Sequence, residues 1–135
     1  MKSGTSLLLG LLSMMGCSIG KPPAGEVAAI EAATTQDACV GSLARWHRIF
    51  AYQRFDNRIN RNIITISYVE AGHRGLPAGR VIAEPDWRTL IDDSQHRYAY
   101  GEYDRKHRRF TDWSCGCNFE VRNEQGQVEC PADKD

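Results

Sequence analysis

The chain has no excess charge of either sign: 17 basic and 17 acidic residues cancel over 135 positions. That excludes the strongly cationic balance of a nucleic-acid-binding domain and the acidic balance of a solvating tail. It also lacks an apolar run long enough to cross a bilayer. Leu7 to Met15 is interrupted only by Gly10 and Ser13, and as a helix it covers about 14 Å against ~30 Å of hydrocarbon. No repeat appears at the period of a solenoid or propeller. The signatures of common catalytic sites are missing too: there is no Gly-x-Ser-x-Gly elbow, no His-Glu-x-x-His helix and no phosphate-binding Gly-Lys loop. Aromatic residues are absent before Trp46, so a packed core is expected only beyond the first third of the chain.

What is present begins with an export signal. Lys2 is the only charge in the first twenty residues, and one cation followed by a short apolar stretch and small residues reads as a secretory signal peptide over residues 1–16. Met14-Met15-Gly16-Cys17 then resembles the bacterial lipobox, in which a small residue precedes a cysteine that is acylated after cleavage. The resemblance covers about the first twenty residues. It implies that Cys17 is lipidated and that the protein is anchored to a membrane without spanning it. Ser18 stands where an Asp would imply retention at the inner membrane, so the implied location is the periplasmic side of the outer membrane. Ordinary cleavage after Ser18 or Gly20, giving a periplasmic or secreted protein, is the alternative.

Setting Cys17 aside leaves Cys39, Cys115, Cys117 and Cys130, an even number that reads as two disulfides in an exported chain. One residue separates Cys115 from Cys117, too few for an unstrained ring, so one of them is expected to reach Cys39 and the other Cys130. A zinc site built on the same cysteines and a histidine lacks the usual ligand spacing, and no metal or cofactor is expected.

Residues 17–37 carry Pro22, Pro23 and an alanine-rich stretch, Glu26 to Ala33, that is weakly helical by propensity; they read as the lipid-attachment cysteine and a flexible tether with a marginal helical turn or two. Residues 38–135 read as one small exported domain. Within it Ile63 to Val69 is β-branched and aromatic, with Ile64, Ile66 and Tyr68 sharing a face, which predicts a strand. Asp56-Asn57 predicts the turn of a hairpin joining it to the preceding run. Gly72 to Gly79 reads as a loop. Val81 to Ala83 predicts a short strand, Asp86 to Asp93 a helical turn, and Tyr98 to Tyr103 a strand returning through Arg105–Arg108. Asn118–Val121 and Gln127–Cys130 predict a terminal hairpin. The fold class is mainly β: a small antiparallel sheet or barrel-like domain stapled by two disulfides, with at most one short helix.

Two features attract a functional reading. Arg45, Arg48, Arg54, Arg58 and Arg61 interleave with Trp46, Phe50, Tyr52 and Phe55, a mixture that stacking nucleic-acid binders use; an exported, neutral chain points instead to an anionic protein surface, lipid headgroups or acidic glycans. The Gly-rich loop offers His73, Arg74 and Arg80 as donors. The partner-binding candidates are therefore Arg45, Arg48, Arg54, Arg58, His73, Arg74 and Arg80. A second basic run, Arg105 to Arg109, reads as a solubilising turn. The expected function is that of a non-enzymatic, protein-binding lipoprotein of the envelope, such as an inhibitor or immunity protein against a toxin or cell-wall hydrolase. A structural or assembly lipoprotein is the alternative, and an enzyme ranks third. The partners expected are an envelope protein and the membrane, and no nucleic acid.

Overall fold

The computed structural model describes residues 20–72, 75–85, 97–117, 121–126 and 128–129. Strands β1 (Trp46–Phe55) and β2 (Arg58–Glu70) form the expected hairpin, closing at the pair Phe55–Arg58. The turn holds Asp56 at φ 46°, a left-handed conformation that Asp tolerates better than most residues. Strand β3 (Gly79–Ile82) lies along β1, while β4 (Arg97–Asp104) and β5 (Arg109–Cys117) extend the sheet beyond β2. The order is β3-β1-β2-β4-β5. Strands β6 (Val121–Arg122) and β7 (Val128–Glu129) pair separately as the terminal hairpin. The helical turn expected over Asp86–Asp93 lies outside the described residues.

The sheet is mixed and open, which corrects the expectation of an antiparallel sheet or a barrel. All pairings in the five-stranded sheet are antiparallel except β1 with β3, which run parallel. The cause is the connection after β2. The loop from Ala71 to Ala78 carries the chain past the start of β1, so β3 can only run the way β1 runs. The edges are then β3 and β5, three strands apart, and they do not meet.

Helix α1 (Ala24–Thr34) covers one face of this sheet. Residues 24–34, expected within the tether, instead belong to the core: Val27, Ile30, Glu31 and Thr34 are all buried. They recur at the spacing of one helical face. Two of the four are polar, so the face does not show as an apolar stripe. Beneath it lie Trp46, Phe50, Tyr52, Ile64, Ile66, Tyr68 and Ala99. Full burial of side chains such as Val27 and Ile30 is worth roughly 1.5–3 kcal/mol each, enough to order a segment whose alanines already favour helix.

Polar groups fix the helix and the chain after it. The Thr34 and Tyr68 hydroxyls share a hydrogen bond of 2.9 Å, the Trp46 indole donates to the Val40 carbonyl (2.7 Å), and the Trp113 indole donates to Asp37 (2.8 Å). Trp113 lies directly over Gly101: a Cβ there would sit 2.6 Å from the indole ring and 2.5 Å from the Asp112 carbonyl oxygen. Among the described residues one disulfide has both ends, Cys39–Cys115, and not two as expected. It ties the segment after α1 to edge strand β5. Cys117 is itself disulfide-bonded, and Cys130 lies outside the described residues.

Candidate functional site

The arginine-rich segment spans the whole of β1 and its hairpin, so its side chains are spread along the sheet and do not form one cationic face. Register sorts them into three places.

The first is under the helix. Arg48 and Arg80 are neighbours in the β1–β3 pairing, and both reach Glu31 on α1, at 3.3 and 2.6 Å. Glu31 is only 3% exposed. Two guanidinium groups thus neutralise one buried carboxylate, the arrangement a buried charge requires, and the pairing raises the Arg80 pKa further. Tyr68, beside them, is pushed up to about 12 by burial first; its bond to Thr34 opposes the shift, and the Glu31 charge adds to it. These residues hold the helix on the sheet. Glu31 and Arg48 are largely buried there, whereas Arg80 keeps about a third of its side chain, 36%, in solvent.

The second place is the end of the sheet where β1 begins and β2 finishes. Arg45 pairs with Glu70 at 3.3 Å and lies over the Trp46 ring. From here the Gly-rich loop departs, and its stems are pinned. The Ala71 amide donates to the Arg45 carbonyl (2.8 Å), and the Gly72 amide donates to the Leu76 carbonyl (2.7 Å). A ring nitrogen of His47, 8% exposed, bonds the Pro77 carbonyl at 2.8 Å. Gly75 closes the turn at φ 74°, a conformation that a residue with a Cβ adopts only with strain. His73 and Arg74 lie outside the described residues, but they join two stems that the scaffold fixes.

The third place is the opposite end. Arg54 and Arg58 stand exposed on the β1–β2 hairpin, where Arg54 Nε donates to the Asp56 carbonyl (2.9 Å). The β4–β5 hairpin reaches the same end. Its Arg105 amide bonds the Asn62 carbonyl (2.8 Å), and the Arg105 guanidinium bonds the Arg61 carbonyl (2.9 Å). Arg105 also grips Glu26 on the first turn of α1 at 2.9 Å and lies over the Tyr52 ring. Asp104 is held at about 2, well below the ordinary carboxylate value, by the His107 side chain at 2.7 Å and the His107 amide.

The two tips together present Arg54, Arg58, Arg61, Lys106, Arg108 and Arg109, all exposed, and none forms an ion pair among the described residues. On the β1–β2 tip Phe55 is 60% exposed and Ile59 45%, on alternate faces of the ribbon. The acids at this end are Asp56 on one tip and Asp104 on the other, with Glu26 paired to Arg105 and Glu84 beside the Pro85 carbonyl that Arg54 reaches.

The sequence reading missed this convergence. It treated Arg105–Arg109 as a separate turn, because the pairing that brings Asn62 to Arg105 links positions 43 apart in sequence. Among the described residues no group of metal-ligating side chains comes together. No protein-family model matches the chain, and no curated protein or solved structure matches it.

Proposed function

We propose that this chain is an exported lipoprotein of the bacterial envelope, anchored through Cys17 on the periplasmic side of the outer membrane, whose domain binds a protein partner. Inhibition of, or immunity to, a toxin or cell-wall hydrolase is the role that fits best. The observation that carries the binding role is the pinned Gly-rich loop: His47, buried in β1, fixes the Pro77 carbonyl, while the loop's ends are closed by backbone hydrogen bonds. Stems held in place before a partner arrives reduce the entropy lost on binding, which is how rigid scaffolds present recognition residues. His73 and Arg74 then supply the contacts.

The Cys39–Cys115 disulfide supports export, since such bonds persist in oxidising compartments. With Cys39 and Cys115 joined, Cys130 is the partner we assign to Cys117.

The test is affinity capture from an envelope lysate with disulfides intact, followed by titration of the captured protein against Arg74→Glu and His47→Ala variants. Arg74→Glu removes a donor from the loop, and His47→Ala unpins it. A 1:1 complex weakened at least ten-fold by Arg74→Glu supports the reading. Loss of the captured protein's hydrolytic activity in the complex makes the chain an inhibitor, and a partner drawn from a secretion or outer-membrane machine makes it an assembly factor. Unaltered affinity in both variants rejects the loop as the site.

A further inference from the structure

We infer that the hairpin end of the sheet docks on an anionic phospholipid surface, with Phe55 and Ile59 entering the headgroup layer and the surrounding cations engaging phosphates. Two observations on the hairpin end, and a third that rests on the anchor, converge on this occupant.

The first is shape and chemistry. Among the described residues three large apolar side chains are exposed: Val81, 39% exposed on edge strand β3, and Phe55 and Ile59, 60% and 45% exposed together at the projecting tip of a β-hairpin. A projecting apolar tip ringed by long cationic side chains suits an interface, where the rings and branched chains sit below the phosphates and the guanidinium groups reach back to them.

The second is charge. Arg54, Arg58 and Arg61 from one hairpin and Lys106, Arg108 and Arg109 from the other are spread over two tips and do not converge on one point. That distribution matches a diffuse anionic layer better than a single acidic pocket on a protein. Each cation held near such a surface contributes roughly five-fold in affinity. The chain as a whole is neutral, so this end is positive against the rest of the molecule.

The third is where the chain enters the fold. Gly20 lies against Glu84, 3.5 Å from the position a Cβ would take. Glu84 follows β3 at the hairpin end, where Arg54 reaches the neighbouring Pro85 carbonyl. The first turn of α1 is clamped to the same end through Glu26 and Arg105. Cys17 precedes Gly20 by three residues, a reach of at most about 10 Å. An acyl chain on Cys17 therefore brings the bilayer to the hairpin tips and leaves the Gly-rich loop facing away from it. This third observation rests on the lipid anchor proposed above; the first two do not.

The experiment uses the chain from residue 17 onward carrying Cys17→Ser, so that no acyl group assists binding; every described element lies after that point. Co-sedimentation with phosphatidylcholine vesicles, with and without phosphatidylglycerol, is the readout. The expected result is binding to the phosphatidylglycerol vesicles at least ten-fold tighter than to phosphatidylcholine alone. Arg54→Glu with Arg58→Glu should abolish that preference. Phe55→Ser with Ile59→Ser, which leaves the charge untouched, should weaken binding to the anionic vesicles several-fold. All four side chains are exposed, so an unchanged thermal midpoint is expected and serves as the folding control. Equal binding to both vesicle types, or indifference to both double variants, overturns the proposal. So does an Arg54→Glu/Arg58→Glu chain that loses its protein partner while vesicle binding is unchanged. Failure of lipidation at Cys17, read by mass of the native protein, leaves this vesicle result standing and removes only the anchoring.

Discussion

At the scale of single residues, the positions that constrain this molecule most are ones whose composition says little. Gly101 is the clearest. Its neighbours across the β4–β5 pairing leave no room for a methyl group, with the Asp112 carbonyl and the Trp113 ring both inside 3 Å of a built Cβ. Gly101→Ala must push Trp113 from its place over the core or part the two strands. Overpacking of this kind costs roughly 1–3 kcal/mol, so a fall of several degrees in the thermal midpoint is expected, with loss of near-ultraviolet circular dichroism from the displaced indole. Asp104 sets a second expectation, in pH. Its carboxyl is lowered from 3.8 to about 2 by the His107 hydrogen bonds. A depressed carboxylate pKa stabilises the fold at pH above its unfolded value, and the contribution is lost as pH falls through the folded one. Stability should therefore drop between about pH 4 and pH 2, measured by urea unfolding across that window. His107→Ala removes the side-chain bond and should shrink the drop. Neither Gly101 nor Asp104 stands out in the sequence, because each role depends on a strand pairing.

At the scale of elements, what was legible and what was not follows from the kind of signal each segment carries. The β1–β2 hairpin was readable because alternation and turn chemistry both lie within a few residues: Ile64, Ile66 and Tyr68 on one face, and Asp56-Asn57 at the turn. Helix α1 was readable only as a weak propensity over its alanines, and its place in the core was not, since its buried face mixes Val27 and Ile30 with Glu31 and Thr34, and the polar half is explained only by Arg48, Arg80 and Tyr68 on strands far along the chain. The parallel placement of β3 escaped for the same reason, as nothing local distinguishes a strand beside β1 from one beside β2. Of the candidate residues, the sequence identified Arg54 and Arg58 as exposed cations but joined to them Arg48 and Arg80, which the fold commits to Glu31. The Cys39–Cys115 disulfide is the covalent counterpart of these helix contacts. It closes a sequence separation of 76 residues, for which the chain-entropy relation gives about 4 kcal/mol. Cys39→Ser with Cys115→Ser should lower stability by an amount of that order in denaturant unfolding. Protease cleavage should move preferentially into residues 20–40, because the segment that carries α1 is then held by packing and ion pairs alone.

At the scale of the whole molecule, the described residues make a two-ended object. One end bears the pinned Gly-rich loop with Arg45 and Glu70 beside it, and the other bears the two cationic hairpin tips with Phe55 and Ile59. Nine residue steps of β1, from Trp46 to Phe55, separate them by about 30 Å at the rise of an extended strand. That is nearly four Debye lengths of about 8 Å at physiological salt, so charge changes at one end are screened from the other. The packed layer between them buries Glu31 against Arg48 and Arg80. The consequence is separability. Arg54→Glu/Arg58→Glu should reduce vesicle binding and leave protein-partner affinity within two-fold, while Arg74→Glu should do the reverse. The chain carrying all three changes should show each defect at the size it has alone, since sites this far apart without shared partners act additively. Partner titration in the presence and absence of phosphatidylglycerol vesicles measures all of this in one series. Partner affinity that changes when the hairpin end is occupied would mean that the two ends are coupled, and the helix-bridging ion pairs at Glu31 would be the first place to look for the connection.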